Sequence, residues 1–407
     1  MAALMPDELL NSLFLKQNPQ GAKPWLSGSG KVRLMLLKHY TGLSDEMLVE
    51  RLNTDFAYQL FCQLALEPGE FIRDRSLVTR VRKELSTKSW GEWQLIFQRY
   101  WKGEIDSQEL KTLLMDATCY ESYIRYPTDV KLLWECNEWI HERLVKLCQV
   151  LSIKRPRNKF LEQQRKYLAY AHRKKKTYAL SQQRRRSLLY LLKKMLTQLQ
   201  DIFNKYAINA MGSAFYERLK VVKTIVQQQT HLFHQPASSL PDRIVSLYKP
   251  YIRPIVRGKE VKTVEFGAKV HLTCSAGLAW IEHLDYKPFN ECKRLKKSVL
   301  KHEKVFAKVA LLGADNIYPT NENRKYITKK GIQTNFLKKG GKASEQEKQA
   351  QTLIHNARAS QMEGVFGNQK NHYLLGKIKA RSQPTEDIWI LFGVLTANAV
   401  KLANKAA

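Results

Sequence analysis

Between Lys154 and Gln200 the chain concentrates fifteen basic side chains against one acid, Glu162, a local charge of +14 (15 − 1) within 47 residues. The same stretch carries Phe160, Tyr167, Tyr170, Tyr178, Leu188, Leu189, Leu192 and Leu196 at a roughly helical period, which predicts long basic helices in place of a disordered tail. Cations at this density repel one another, and the repulsion is relieved when phosphates lie nearby. A solvated charged face is the plainer reading, but the repulsion favours a segment that grips a polyanion. Arg173, Lys174, Lys175, Lys176, Arg184, Arg185 and Arg186 are its candidate phosphate contacts, joined by Arg257 further along the chain.

The rest of the chain agrees with that partner. Its 68 basic and 37 acidic residues leave a formal charge of +31, unusual for an enzyme of small molecules and suited to binding nucleic acid. A solvated basic surface, a ribosomal role or a membrane-surface role would also produce an excess of cations. With 407 residues, 44% of them hydrophobic, the chain is long enough for two or three domains and at least one sizeable core. The cysteines, Cys62, Cys119, Cys136, Cys148, Cys274 and Cys292, form no C-x-x-C pair and have no histidine at zinc-finger spacing. That pattern argues against a structural zinc site or a disulfide framework and suits a reducing compartment. Met1–Leu15 contains Asp7 and Glu8 and lacks the basic-then-apolar order of a signal peptide, and no apolar run has the length of a membrane span. The expectation is a cytoplasmic protein, associated with the nucleoid, that does not enter a membrane.

Four segments follow from texture. Residues 1–105 read as a helical, DNA-binding domain. Within it lie a short apolar helix over Val32–Tyr40, a helix capped by Ser44, and a third through Phe56, Phe61 and Leu64. A fourth starts near Asp74, its outer face carrying Arg80, Arg82 and Lys83, and an aromatic stripe runs from Trp90 to Trp101. The stripe reads as core. Residues 106–145 are the first part of a catalytic core, 146–239 a basic helical insertion, and 240–407 the second part of the core. After Pro236, strands over Val264–Cys274 and Leu278–Tyr286 form a hairpin. A helix over Asn290–Phe306, a strand over Val309–Ile317, a helix over Asn321–Lys330 and a strand over Ile332–Leu337 come next. Helices over Gln351–Lys379 and Thr385–Ala403 close the chain, and the alternation is that of an α/β layered fold.

Three acids stand out. Asp116 follows the apolar run Leu113–Met115, and Asp315 follows Val309–Leu312 through Gly313 and Ala314, so each ends a buried strand, where open α/β sheets place their ligands. Glu363 lies on a predicted helix with Lys370 seven residues on, on the same face. Singly, each acid has a dull explanation as a cap, a turn residue or a surface charge. Together, in so basic a chain, they suit phosphodiester chemistry, in which carboxylates hold divalent cations that activate the attacking oxygen and stabilise the leaving one.

The segments around these acids resemble bacterial insertion-sequence DDE transposases. TLLMDATCYESYIRYPTDVKLL (112–133) looks like the first-aspartate region, and DRIVSLYKPYIRPIVRGKEVKTVEFGAKV (242–270) like the stretch before the second strand. GADNIYPTNENR (313–324) resembles the second-aspartate motif, and RASQMEGVFGNQKNHYLL (358–375) the glutamate helix with its E-x6-K spacing. The N-terminal helices, with RDRSLVTRVR (73–82), are also similar. The resemblance implies a ribonuclease-H-like mixed-sheet core with a helical insertion after its first strand. It implies Asp116, Asp315 and Glu363 as catalytic ligands of two Mg2+ ions, for which Mn2+ can substitute, and Lys370 and Arg358 as DNA contacts. One departure stands out: the related signature has a tyrosine before the glutamate and an arginine four positions upstream of it. Here that position is Ala359, Arg358 lies one earlier, and the tyrosine is absent. The implied activity is cleavage at the element's ends and strand transfer into target DNA. The implied partners are double-stranded DNA, both terminal inverted repeats and target, and a second copy of the chain. A ribonuclease-H-like nuclease without joining activity and an inactive, transposase-derived DNA-binding regulator are the alternatives. Gly364 and Gly367 are expected to let the glutamate helix approach the sheet or DNA closely.

Overall fold

The computed structural model describes residues 1–14, 24–206, 211–256, 263–337, 340 and 344–406. Arg257 and part of the polar loop expected over Gly340–Gln346 lie outside the described residues. Two compact units are present, one formed by Met1–Tyr123 with Ile255–Ala407 and the other by Ile124–Pro254. No described helix is long and apolar enough to cross a membrane.

The first unit begins with helices α1 (Asp7–Ser12), α2 (Gly28–Thr41), α3 (Asp45–Thr54), α4 (Phe56–Phe61), α5 (Leu77–Leu85) and α6 (Trp90–Trp101). Helix α2 is longer than its apolar centre predicts. Ser27 caps its start by accepting from the Gly30 amide at 3.0 Å, and Gly42 ends it in the left-handed region at φ +68°. Its buried cations are paired, as burial requires: Arg33 with Asp7 (2.6 Å), Lys31 with Glu84 (2.6 Å) and Lys38 with Asp45 (3.1 Å). Helix α4 stops before Leu64, which is buried in the loop beyond. Arg82, expected on an outer face, is instead buried, its guanidinium on Asp45 (3.1 Å) and over the Trp389 ring (4.6 Å). In the aromatic stripe of α6, Trp93, Phe97 and Trp101 are buried and Tyr100 is exposed; the indole N–H groups of Trp93 and Trp101 donate to the carbonyls of Leu85 (2.9 Å) and Leu4 (2.8 Å).

The sheet of this unit contains β1 (Thr112–Glu121), β2 (Pro254–Val256), β3 (Val264–Ser275), β4 (Leu278–Asp285), β5 (Leu311–Gly313) and β6 (Gln333–Thr334). Their order is β2-β3-β1-β5-β6, with β4 also paired to β3. Strand β3 runs antiparallel to β1 and β4, whereas β5 and β6 run parallel to β1 and to each other. The β3–β4 turn is tight because Ala276 (φ +53°) and Gly277 (φ +74°) both occupy the left-handed region. Strands β5 and β6 are much shorter than the expected Val309–Ile317 and Ile332–Leu337. Beyond Gly313 the ladder is replaced by the Asn335 side chain, which accepts from the Ala314 amide (3.1 Å) and donates to its carbonyl (2.8 Å). The chain then turns, the Tyr318 amide donating to the Asp315 carbonyl at 3.0 Å.

Between and after these strands lie α11 (Leu295–Val305), α12 (Asn321–Lys330), α13 (Glu345–His372) and α14 (Gln383–Ala406). The helix expected from Asn290 is preceded by a separate 3-10 turn, Glu291–Arg294. Helix α13 starts six residues earlier than expected, at a Ser344–Glu347 capping box, and ends at His372, short of the expected Lys379, as Leu374 adopts φ +59°. Helix α14 packs on α2, α5, α6 and β4. Asn398 fastens it to β4, accepting from the Ala279 amide (2.9 Å) and donating to its carbonyl (2.7 Å).

The second unit holds α7 (Asp129–Val150), α8 (Phe160–His172), α9 (Tyr178–Lys205) and α10 (Ser213–His234). Leu188, Leu192, Met195 and Leu199 of α9 form its core with Leu133, Cys136 and Ile140 of α7 and Val222 and Ile225 of α10. Thr128 caps α7, and Asp129 in its first turn pairs with Arg243 at 2.5 Å. Sequence texture drew a boundary near residue 145, whereas α7 packs wholly within this unit.

Candidate active site

Strand alternation along TLLMDATCYE puts Leu114, Asp116, Thr118 and Tyr120 on one face of β1 and Leu113, Met115, Ala117 and Cys119 on the other. Leu113 and Met115 enter a core with Leu295, Val299, Leu312 and Tyr318. The opposite face meets α13 along its length: Arg358 pairs with Asp116, Lys370 donates to Thr118 Oγ1 at 2.9 Å, and Tyr120 donates to Gln369 Oε1.

Leu114–Gly313 is the last pair of the parallel ladder, and Asp315 lies two residues past β5. Asp116, expected to end its strand, is midway along β1, because the antiparallel pairing with β3 carries that strand on to Glu121. Arg358 serves both acids, its other amino group standing 3.7 Å from Asp315 Oδ1. Gly313 permits this approach, since a Cβ there would stand 3.1 Å from Arg358 Cβ and 3.2 Å from Ile354 Cγ2. The Asp116 side chain is 19% exposed and that of Asp315 47%. Burial pushes the Asp116 carboxyl above its ordinary pKa. Arg358 and the Ala117 amide (2.7 Å) oppose that push, and the charges of Glu291 and Asp315 add to it.

Glu363 is exposed on α13, five residues and about 7.5 Å of helix beyond Arg358. It shares a helical face with Lys370, which touches Thr118, two residues past Asp116. Among the described residues no three His, Cys, Asp or Glu side chains are grouped as a metal would need. The structure thus brings Asp116, Asp315 and Arg358 together and leaves Glu363 on the flank. Two hard carboxylates facing a single positive group are a donor set that suits a divalent cation in charge and chemistry, and the third oxygen ligand is not in place. Gly364 and Gly367 permit no close approach here, because a Cβ at either would meet nothing within 4 Å.

Beneath the second aspartate lies a buried network that strand alternation alone does not reveal. His271 Nε2 is 2.8 Å from the Tyr318 hydroxyl, its Nδ1 is 3.3 Å from Glu282, and Glu282 accepts from Arg294 at 2.7 and 2.9 Å. This chain anchors the turn that carries Asp315. Glu291, a buried acid near Asp116, is held by Lys269 at 2.7 Å. Neither could be found from spacing, since both join β3 to residues of β4 and of later turns.

The basic residues of the second unit divide in two. Arg173–Lys176 and Arg186 are exposed, but Arg184 and Arg185 are buried. Arg184 faces Gln163 (3.4 Å) and Arg185 faces Asp129 (3.6 Å), so both guanidinium groups serve the interior of the helical unit rather than an outside partner.

No curated protein and no solved structure matches the chain. Residues 1–84, the helices α1 to α4 and most of α5, match the family model of a transposase domain (DUF772). That match, on a chain of net charge +31, supports a transposase, an enzyme that acts on DNA.

Proposed function

We propose that the chain is a DDE-type transposase that cleaves DNA at the ends of an insertion sequence and transfers the freed strand to a target. The observation that carries this reading is that Asp116, midway along β1, and Asp315, just beyond the neighbouring parallel strand β5, share one guanidinium. The sheet order lends support to a ribonuclease-H-like core: a central strand with an antiparallel hairpin on one side and two parallel strands on the other.

Asp116 and Asp315 would hold Mg2+ (or Mn2+), with Glu363 the third carboxylate. When bound, the metal supplies positive charge at the attacking and leaving oxygens of the phosphodiester. Arg358, released from the aspartates, is positioned to pair with a backbone phosphate, and Lys370 holds its place on Thr118 beside the scissile strand. Glu363 is exposed on α13 and would have to approach the pair when metal and DNA bind. Hydrolysis frees a 3′-hydroxyl at the element's end, and that hydroxyl displaces a target phosphodiester in line. Exposed Arg173–Lys176 and Arg186 would grip the duplex, and two copies of the chain would join the two inverted repeats.

Asp116→Asn, tested on labelled element ends, is expected to lose strand cleavage while binding the same DNA within a few-fold of the parent. Full cleavage by the variant would refute the assignment. A nuclease without joining activity would cut the ends and leave no joined product with a plasmid target. One observation favours a different reading, a transposase-derived DNA-binding regulator: Glu363 stands apart from the two aspartates. Magnesium titration calorimetry separates the two, because only the enzyme shows a binding heat that Asp116→Asn removes.

A further inference from the structure

We propose that a cleft between the N-terminal helices and the segment leading into α14 docks the phosphate backbone of duplex DNA, at a place distinct from the carboxylate pair. The proposal rests on the transposase reading and names a second contact for its substrate. The cleft has a volume of about 770 Å³. Six cations line it, Lys38, Arg82, Lys83, Lys377, Lys379 and Arg381, against a single acid, Asp45.

Asp45 is already committed. It accepts from Lys38 (3.1 Å), Arg82 (3.1 Å) and Thr79 Oγ1 (2.9 Å). These contacts form a fixed floor: Arg82 lies over the Trp389 ring, and Trp389 Nε1 donates to the Leu374 carbonyl at 3.0 Å. Arg82 is 5% exposed and its Nε has no hydrogen-bond partner. Burial pushes the Lys38 ammonium below its usual pKa; Asp45 opposes this, and Arg82 and Lys379 add smaller contributions in the same direction as burial.

The rim is different. Lys83 on one wall and Lys379 and Arg381 on the other are exposed, and their side chains have no hydrogen-bond or ion-pair partner among the described residues. Ser44, Ser76 and Ser382 also line the cleft. Free cations on both rims above a neutralised floor fit a polyanion laid across the cleft better than one small anion clamped at its base. The wall from Lys38 to Lys83 also lies within the residues that match the transposase domain.

The test is the triple variant Lys83→Ala, Lys379→Ala, Arg381→Ala of the full chain, with anisotropy of labelled duplexes read across a salt titration. Both element-end and random-sequence duplexes are used, so the result does not depend on end recognition. Loss of three phosphate contacts is expected to weaken binding about tenfold or more at moderate salt and to reduce the log–log salt slope by roughly 2 to 3. Unchanged affinity and slope on both duplexes would overturn the groove and leave the Asp116→Asn result to judge the transposase reading separately. Calorimetry with inorganic phosphate alone is the second arm. Saturable phosphate binding that the triple variant loses, with DNA affinity unaltered, would mark a small-anion site and overturn the proposal as well.

Discussion

Arg358 stands where two carboxylates need a positive charge. Its Nη2 pairs with Asp116 and its Nη1 lies 3.7 Å from Asp315, while its Nε is buried without a hydrogen-bond partner. Removing the guanidinium leaves two nearby acids without their shared positive charge, a penalty of the kind that follows loss of one partner from a buried ion pair. Arg358→Ala is therefore expected to lower unfolding free energy by about 2 kcal/mol in urea titrations without divalent cation, less than a fully buried pair because Asp315 is half exposed. Millimolar magnesium is expected to restore much of that loss in the variant and to add little to the parent. Equal responses to magnesium would mean that the aspartates are not a cation site.

At the scale of elements, the β1–β3 pairing decides where the first aspartate points. Gly267 pairs with Glu121 at one end of this ladder, and a Cβ there would stand 2.1 Å from the Tyr120 carbonyl oxygen and 2.7 Å from the Ser122 amide nitrogen. Those are backbone atoms of the partner strand and cannot swing aside. Gly267→Ala is expected to cost about 2 to 4 kcal/mol, since the ladder must open or shift, as read from the urea midpoint. A variant as stable as the parent would show that this end of the ladder is not closely packed. Shift of register by one residue would also turn Asp116 and Thr118 away from α13.

At the scale of the molecule, the first unit joins the two ends of the chain. Helix α14 closes it from the C-terminus, and Asp387 on that helix accepts from the Tyr286 hydroxyl at 2.8 Å, just past the end of β4. Burial, with smaller contributions from Glu386 and Asp285 and against the Tyr286 hydrogen bond, pushes the Asp387 carboxyl up to about 6. In the unfolded chain it titrates near 3.8. The folded state therefore prefers the protonated form, and the stability it contributes is complete below pH ~4 and lost as pH rises through about 6. Asp387→Asn is expected to remove that loss, narrowing the difference in urea midpoint between pH 4 and pH 7 by the equivalent of about 2 kcal/mol. An unaltered pH profile would place the titration elsewhere.

Much of this was legible beforehand. The Ser44 cap, the aromatic stripe of α6 and the hairpin are local, and local patterns report them because capping, helical period and turn conformation involve residues a few positions apart. The short strands β5 and β6 were read as longer because apolar β-forming runs extend past the point where the Asn335 side chain takes over the backbone hydrogen bonds of Ala314. Arg82, Arg184 and Arg185 were read as outward cations because composition does not tell which charges find a buried partner; Asp45, Gln163 and Asp129 supply those partners from distant parts of the chain.

The sequence by itself determined that Asp116 and Asp315 follow buried apolar runs, where the cationic helices lie and that the chain carries a large positive charge, because apolar runs, helical period and net charge are carried by neighbouring residues. Only the tertiary structure decided that Asp116 and Asp315 share one guanidinium, that Glu363 stands off to the side, and that free cations from both ends of the chain rim one cleft. Those facts depend on register and on helix placement between segments up to hundreds of residues apart, where no local pattern records which side chains meet.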